Sequence, residues 1–304
     1  MTTAGLPQDR NVKWTYLSER QISAELDLKQ VPVSRYLVKQ LLRFRAYKKR
    51  NLLKMNTLKE VEGRNEQFER IATYRQSFKQ NGLPILSIDT KKKEMLGNFS
   101  RPGTAYATGQ RRANDHDFLS SSGGQIVPHG IYDVCDNTGY LTLGLSKDTS
   151  AFVCDNLLAW WQERLQYKYP DAETILLLCD GGGSNASAHY IVKEDLSKLA
   201  QCLNMNILVA HYPPYCSKWN PIEHRFFSQL SHTWSGVSFP TVEFVKELSD
   251  HTSTTTGLKV FTSINHKEYF TGREVDPIFK ANMAASVLFD EQRPKWNYLI
   301  KGRI

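Results

Sequence analysis

The 304-residue chain contains no run of about eighteen consecutive apolar residues, which excludes an ordinary membrane-spanning helix. Its first residues, MTTAGLPQDRNVKW, lack the apolar core of a secretory leader. Cysteine is scarce: five thiols, an odd number, with no Cys-x-x-Cys pair. A disulfide framework or a structural zinc site is therefore not expected, and a reducing compartment fits better. The glycine run Gly181–Gly183 lacks the lysine that completes a nucleotide phosphate-binding loop. Acid is missing from one stretch altogether, since no Asp or Glu occurs between Leu28 and Lys59.

That last absence is matched by an excess of base. Residues 1–80 hold 17 Lys and Arg against 8 Asp and Glu, while the remainder holds 22 against 23. The formal charge of +8 is thus carried by the first quarter of the chain. Arg35, Lys39, Arg43, Arg45, Lys48, Lys49, Arg50 and Lys54 follow one another there, as suits a polyanionic partner or, alternatively, a solvated helix face. The same stretch predicts two helices. Ser18 can cap SERQISAEL, with Ile22 and Leu26 on one face; Pro32 closes the turn; Ser34 can cap SRYLVKQLLRFRAY. In the second helix Leu37 and Leu41, and Val38 and Leu42, repeat at helical spacing. Ser34, Arg35, Lys39 and Arg43 are left for the other faces. Such a pair is the layout of a helix-turn-helix whose second helix enters the major groove.

After a charged helical connector over 56–81, broken at Asn81-Gly82, the pattern becomes α/β. LPILSID reads as a strand, and IVPHGIYDVCD and GYLTLGL as a hairpin turning at Asn137-Thr138-Gly139. SAFVCDNLLAWWQERLQYKY is a helix, TILLLCD a strand, Asp195–Leu203 part of a helix, and NILVAHY a third core strand. A loop opening at Pro213-Pro214 leads to a helix around Ile222–Trp234. The strands are too apolar to face water on either side, so one mixed α/β sheet flanked by helices is expected. Its span is 82–275, preceded by the all-α segment 1–55 and followed by a tail, 276–304.

Three carboxylates stand where a structural acid is unexpected. Asp89 ends one strand and Asp180 another, and ligands of open α/β sheets bind at such ends. Glu223 opens a helix and shares its inward stripe with Phe227 and Leu230, where an uncompensated carboxylate is costly. Each acid has a plainer reading: a turn former or helix cap for either Asp, and an acid favoured by the helix dipole for Glu223. Taken together they fit hard divalent cations, which take oxygen ligands and in pairs activate attacking and leaving oxygens of a phosphodiester.

The runs SIDTKKKEMLGNF (Ser87–Phe99), CDGGGSN (Cys179–Asn185) and PPYCSKWNPIEHRFFS (Pro213–Ser228) resemble the DDE transposases of bacterial insertion sequences, most of all the ISAzo-type family. The likeness extends to HDF at His116–Phe118, Trp160-Trp161, TTTGL at Thr254–Leu258 and the late WNY; the NPIE run at Asn220–Glu223 also resembles the third-acid motif of mariner-type transposases. The resemblance implies a ribonuclease-H-like catalytic domain, with Asp89, Asp180 and Glu223 as the acids holding two Mg²⁺ or Mn²⁺ ions. It further implies strand cleavage and transfer on double-stranded DNA (element ends and target), a homodimer in synapsis, and a bacterial, nucleoid-associated cytoplasmic location. Lys91, Lys92, Lys218 and Trp219 are candidate DNA contacts beside Ser34, Arg35, Lys39 and Arg43. Ser217 and His224 flank the third acid, and His116 and Asp117 are candidate supports of the site. Relatives carry additional N-terminal DNA-binding helices, so a shortened copy is expected. The alternative is a catalytically decayed, transposase-derived DNA-binding protein or repressor.

Overall fold

The computed structural model describes residues 15, 17–49, 61–104, 108–109, 112–114, 123–182 and 189–302. The chain forms two compact units, Met1–Leu58 and Lys59–Ile304. In the first, α1 (Glu19–Leu28) starts at Ser18, whose hydroxyl accepts from the Gln21 N–H while the Gln21 side chain accepts from the Ser18 N–H. This reciprocal pair satisfies two amides that no helical carbonyl can reach. Helix α2 (Arg35–Phe44) starts at Ser34, which accepts from the Leu37 N–H at 3.2 Å. Of the apolar stripe on α2, only Val38 is buried, and Leu37 and Leu41 remain 42% and 46% exposed. Two ten-residue helices offer too little partner surface to cover both rows.

The second unit begins with α3 (Arg64–Gln80), which ends at Asn81 before Gly82, as the sequence predicts. There follow β1 (Ile85–Thr90), β2 (Glu94–Met95), β3 (Gln125–Asp133) and β4 (Thr138–Gly144). Helix α4 (Ser150–Trp160) runs through a wider π-type turn, Trp161–Leu165, into α5 (Gln166–Lys168). Next come β5 (Thr174–Cys179), α6 (Tyr190–Leu203) and β6 (Asn206–His211). A short 3₁₀ turn, Ser217–Trp219, and a π-type turn, Glu223–Phe227, lead into α7 (Ser228–Thr233) and α8 (Val242–Asp250). The unit closes with β7 (Lys259–Asn265), α9 (Pro277–Ser286), β8 (Val287–Phe289) and β9 (Asn297–Ile300). No described helix is long and apolar enough to cross a membrane.

Among the described residues nine strands form one sheet in the order β7-β4-β3-β1-β5-β6-β9-β8, with β2 paired to β3. Within its centre β3 is antiparallel to both β1 and β4, while β5 and β6 run parallel to β1. This is the ribonuclease-H-like arrangement that the resemblance implied. Strand β7 extends it beyond β4, and β9 beyond β6. Alternation along each strand sends side chains to two cores. Leu86, Ile88, Leu177, Ile207 and Val209 pack with Leu157, Trp160 and Leu196 of α4 and α6. On the opposite face Tyr132, Leu141 and Leu143 meet Ile222, Phe226, Phe227 and Leu230, and Ile85, Leu176 and Leu178 meet Ile71 and Phe78 of α3.

Two expectations shift. The hairpin turn lies just after β3, ending at Asn137 with φ 53°, and Gly139 is a strand residue. A Cβ there would stand 2.5 Å from Phe226 Cε2, so the glycine makes room for a ring, not for a turn. The segment from Asp276 onward is built into the sheet through β9, because the β6 edge needs a hydrogen-bonding partner.

Candidate active site

Strand β1 delivers the first acid. Leu86 and Ile88 face α4 and α6, so Ser87 and Asp89 share the other face. Strand β5 lies parallel beside it, with Ser87 paired to Leu178. Two residues further along each strand stand Asp89 and Asp180, neighbours at the carboxyl edge of the sheet. The turn after β5 folds back through a 3.3 Å hydrogen bond from the Gly182 N–H to Asp180 Oδ1.

Glu223 comes to the same place because its turn is clasped to β1. Ser87 Oγ donates to Asn220 Oδ1 at 2.5 Å and accepts from the Ile222 N–H at 3.1 Å. Asn220 Nδ2 donates to the Ile88 carbonyl at 3.2 Å, and the Glu223 N–H donates to the Asn220 carbonyl at 3.1 Å. Ser87 and Asn220 are wholly buried, so each of these polar groups has its partner inside the protein. Gly130 completes the seat. It pairs with Asp89 across β1 and β3, and a Cβ there would lie 2.5 Å from Phe227 Cε1 and 2.8 Å from Ile222 Cδ1. The segment carrying the third acid therefore rests directly on bare backbone beside the first acid. Glu223 itself opens the π-type turn, a widening often found at functional positions.

The electrostatics follow from this crowding. Burial, followed by the charge of Asp180 and then that of Glu223, pushes the Asp89 carboxyl up to about 8, although the Thr90 N–H donates to it. A side-chain hydrogen bond between Asp89 and Glu223 raises the Asp89 carboxyl further. Burial also raises Asp180, with a contribution from a fourth acid, Asp148. Asp148 accepts from Thr90 Oγ1 at 3.3 Å and stands at the start of α4. It lies in no apolar pattern or quoted motif, so only the fold brings it here. Among the described residues no three His, Cys, Asp or Glu side chains close into a ready metal-ligand group. Asp89 and Glu223 touch, and Asp180 stands within charge–charge range of Asp89. A half-buried crevice in which neighbouring carboxylates raise the proton affinity of Asp89 fits a divalent cation, which would replace the proton as counter-charge.

The other predicted residues divide. Lys91 is turned inward, 3.8 Å from Glu94 and over the Trp234 ring, while Lys92 is exposed. Ser217, Lys218 and His224 are exposed beside the third acid. Trp219 is 52% exposed, with one edge on Phe68 and Lys218 over its ring. In the first unit Ser34 is engaged as a helix cap, and Arg35 lies over Tyr36 and donates to its hydroxyl. Lys39 and Arg43 are exposed on successive turns of the same helix. His116 and Asp117 lie outside the described residues. Next to Asp148 opens a cleft of about 860 Å³ lined by Lys93, His189, Lys267, Phe270 and Arg273, with Phe270 78% exposed. No sequence pattern marked this cleft, since the loop 266–273 meets the amino ends of α4 and α6 only in three dimensions.

Comparison with curated proteins gives no match. Among solved structures the chain is similar to the Mos1 transposase paired-end complex with left transposon end, at 18% identity and TM-score 0.45. It is similar also to the mariner Mos1 paired-end complexes with Mn and with Mg, each at 18% identity, with TM-scores of 0.43 and 0.44. Each alignment covers 76% of this chain and 65% of that chain. The chain thus spans just under two thirds of the Mos1 chains it matches. The family described as Rhodopirellula transposase DDE domain matches over residues 1–302, in agreement with the resemblance carried by the three motifs, and the chain belongs to that family.

Proposed function

We propose that this transposase-family chain cuts DNA at the ends of its element and joins the freed strands to target DNA, with Asp89, Asp180 and Glu223 as the acids of the site. The observation that supports this reading is that Asp89, at the carboxyl edge of the sheet, lies beside Glu223 and within charge–charge range of Asp180, with burial raising both aspartates. These carboxylates would hold two Mg²⁺ or Mn²⁺ ions. Bound there, the ions would supply Lewis-acid activation of the attacking oxygen and charge relief at the leaving oxygen of the phosphodiester.

The chain's own residues do the rest. The Ser87–Asn220 clasp holds Glu223 against β1, which limits how far the acids can separate. The cleft beside Asp148 offers Lys93 for a strand's phosphates and the exposed ring of Phe270 for a base. The exposed Lys39 and Arg43 of α2 suit the backbone of an end duplex. Pairing of two chains in synapsis belongs to the same reading.

The test is Mg²⁺- or Mn²⁺-dependent nicking of a terminal-repeat duplex, followed by strand transfer. Asp89→Asn, Asp180→Asn and Glu223→Gln should each abolish cutting while leaving duplex binding in place. Variants that cut as well as the wild type would remove these residues from the site. A second reading, a DNA-binding protein that no longer cuts, draws on the acids not closing into a ready ligand group. It predicts a shifted duplex with no nicked product from the wild type.

A further inference from the structure

The late WNY motif, Trp296–Tyr298, has no role in the chemistry outlined so far, yet it reaches the candidate second acid through one buried side chain. His211, the last residue of β6, is 1% exposed. Its Nδ1 lies 2.9 Å from the carbonyl oxygen of Asp180 and 3.3 Å from Cys179 Sγ. Its Nε2 lies 3.1 Å from the Tyr298 hydroxyl, and the two rings are tilted at 36° to each other with centroids 5.6 Å apart. A carbonyl oxygen can only accept, so Nδ1 carries the proton. No carboxylate is bonded to the imidazole to sustain a charge in this interior, so Nε2 is the acceptor and the Tyr298 hydroxyl donates to it.

The ring is itself held in place. The His211 backbone N–H donates to the Trp296 carbonyl, and the His211 carbonyl accepts from Gln67 Nε2 at 2.9 Å. Gln67 and Asn297 exchange two amide hydrogen bonds of 2.8 Å each. All four side chains, Gln67, His211, Asn297 and Tyr298, are buried.

The ladder between β5 and β6 ends at Cys179 paired with His211. The Asp180 carbonyl lies one residue further on, and the chain then enters Gly181 and Gly182, which impose little backbone restraint. The bond from His211 therefore holds the peptide that follows the carboxylate, at the point where the sheet stops holding it. We propose that His211 is a positioning residue for Asp180, with Tyr298 fixing the imidazole tautomer that makes the bond possible. This rests on the reading of Asp180 as an acid of the site. It gives the closing strand β9 a task in the chemistry: β9 locks the second acid from behind the sheet.

Two variants of the full chain separate positioning from mere packing. His211→Leu removes the donor, and His211→Asn restores one near the place of Nδ1. For nicking of an end duplex with Mn²⁺, His211→Leu should lower kcat about 10–100-fold with KM for the duplex unchanged, the range typical of losing a group that orients a metal ligand. His211→Asn should recover most of that loss although both variants melt at similar temperatures. Calorimetric titration with Mn²⁺ should show the same order, with weakened binding in His211→Leu and recovery in His211→Asn. Nitrogen NMR of the wild type should show the proton on Nδ1, and Tyr298→Phe should disturb that tautomer. Equal defects in the Leu and Asn variants, or a proton on Nε2, would overturn the proposal. If the wild type binds Mn²⁺ but does not nick, the cutting activity fails, and the titration and the tautomer still decide the role of His211. A wild type that binds no Mn²⁺ would overturn both.

Discussion

In metal-free buffer, Asp89→Asn should stabilise the protein, and by more as the pH rises. The Asp89 carboxyl is pushed up to about 8 by burial and by its acidic neighbours, whereas in the unfolded chain it returns to the ordinary carboxylate range near 3.9. Between those values the native state keeps a proton that the unfolded chain has released, so native stability falls as pH rises. The slope has a ceiling of about 1.4 kcal/mol per pH unit, or about 4 kcal/mol between pH 5 and pH 8. Coupling with Glu223 and Asp180 and partial solvent contact would reduce this to about half. Asparagine escapes the penalty, because its amide can donate to Glu223 and its oxygen can keep the bond from the Thr90 N–H. At about 2–4 °C per kcal/mol for a unit of this size, the variant should gain roughly 5 °C on the wild type from pH 5 to pH 8. Thermal denaturation in chelator reads this directly. Adding Mn²⁺ should then raise the melting temperature of the wild type and not that of the variant. Wild type and variant melting in parallel from pH 5 to pH 8 would refute the argument that these acids repel one another in a desolvated site.

Two further outcomes follow from the same geometry. Gly130→Ala should cost about 1–3 kcal/mol in urea denaturation, because its methyl enters the Phe227 and Ile222 side chains, and it should depress cutting more than duplex binding; a change under about 0.5 kcal/mol would show that the Glu223 segment is not seated on this backbone. Replacing both Lys39 and Arg43 by Ala should flatten the dependence of log affinity on log salt by about two, measured by fluorescence anisotropy on an end duplex, and an unchanged slope would remove α2 from the phosphate contacts.

Much of this protein is local and therefore readable in one dimension. Ser18 and Ser34 announce their helices because an amino-terminal turn needs an acceptor for its free amides wherever it occurs. The apolar runs ending at Asp89 and Asp180 become neighbouring buried strands, and the charge imbalance separates a basic first unit from the rest. Three motifs in order carry the likeness to the family and contain the candidate acids Asp89, Asp180 and Glu223. The turn before β4 was misplaced because a glycine that admits a ring and a glycine that makes a turn look alike in sequence; only the Phe226 ring against Gly139 separates them.

The amino-acid sequence by itself determined the elements, their caps, the concentration of base and the identity of the candidate acids. The tertiary structure alone decided who meets whom: Asp148 beside Asp180, Ser87 clasping Asn220, Gly130 beneath Phe227, and Tyr298 reaching Asp180 through His211. It decided the charge as well, since a carboxylate's proton affinity depends on desolvation and on neighbours distant in the chain. Periodicity and capping are written within a few residues, whereas these contacts join positions 87 to 220 and 180 to 298 and exist only after the sheet has set its strand order.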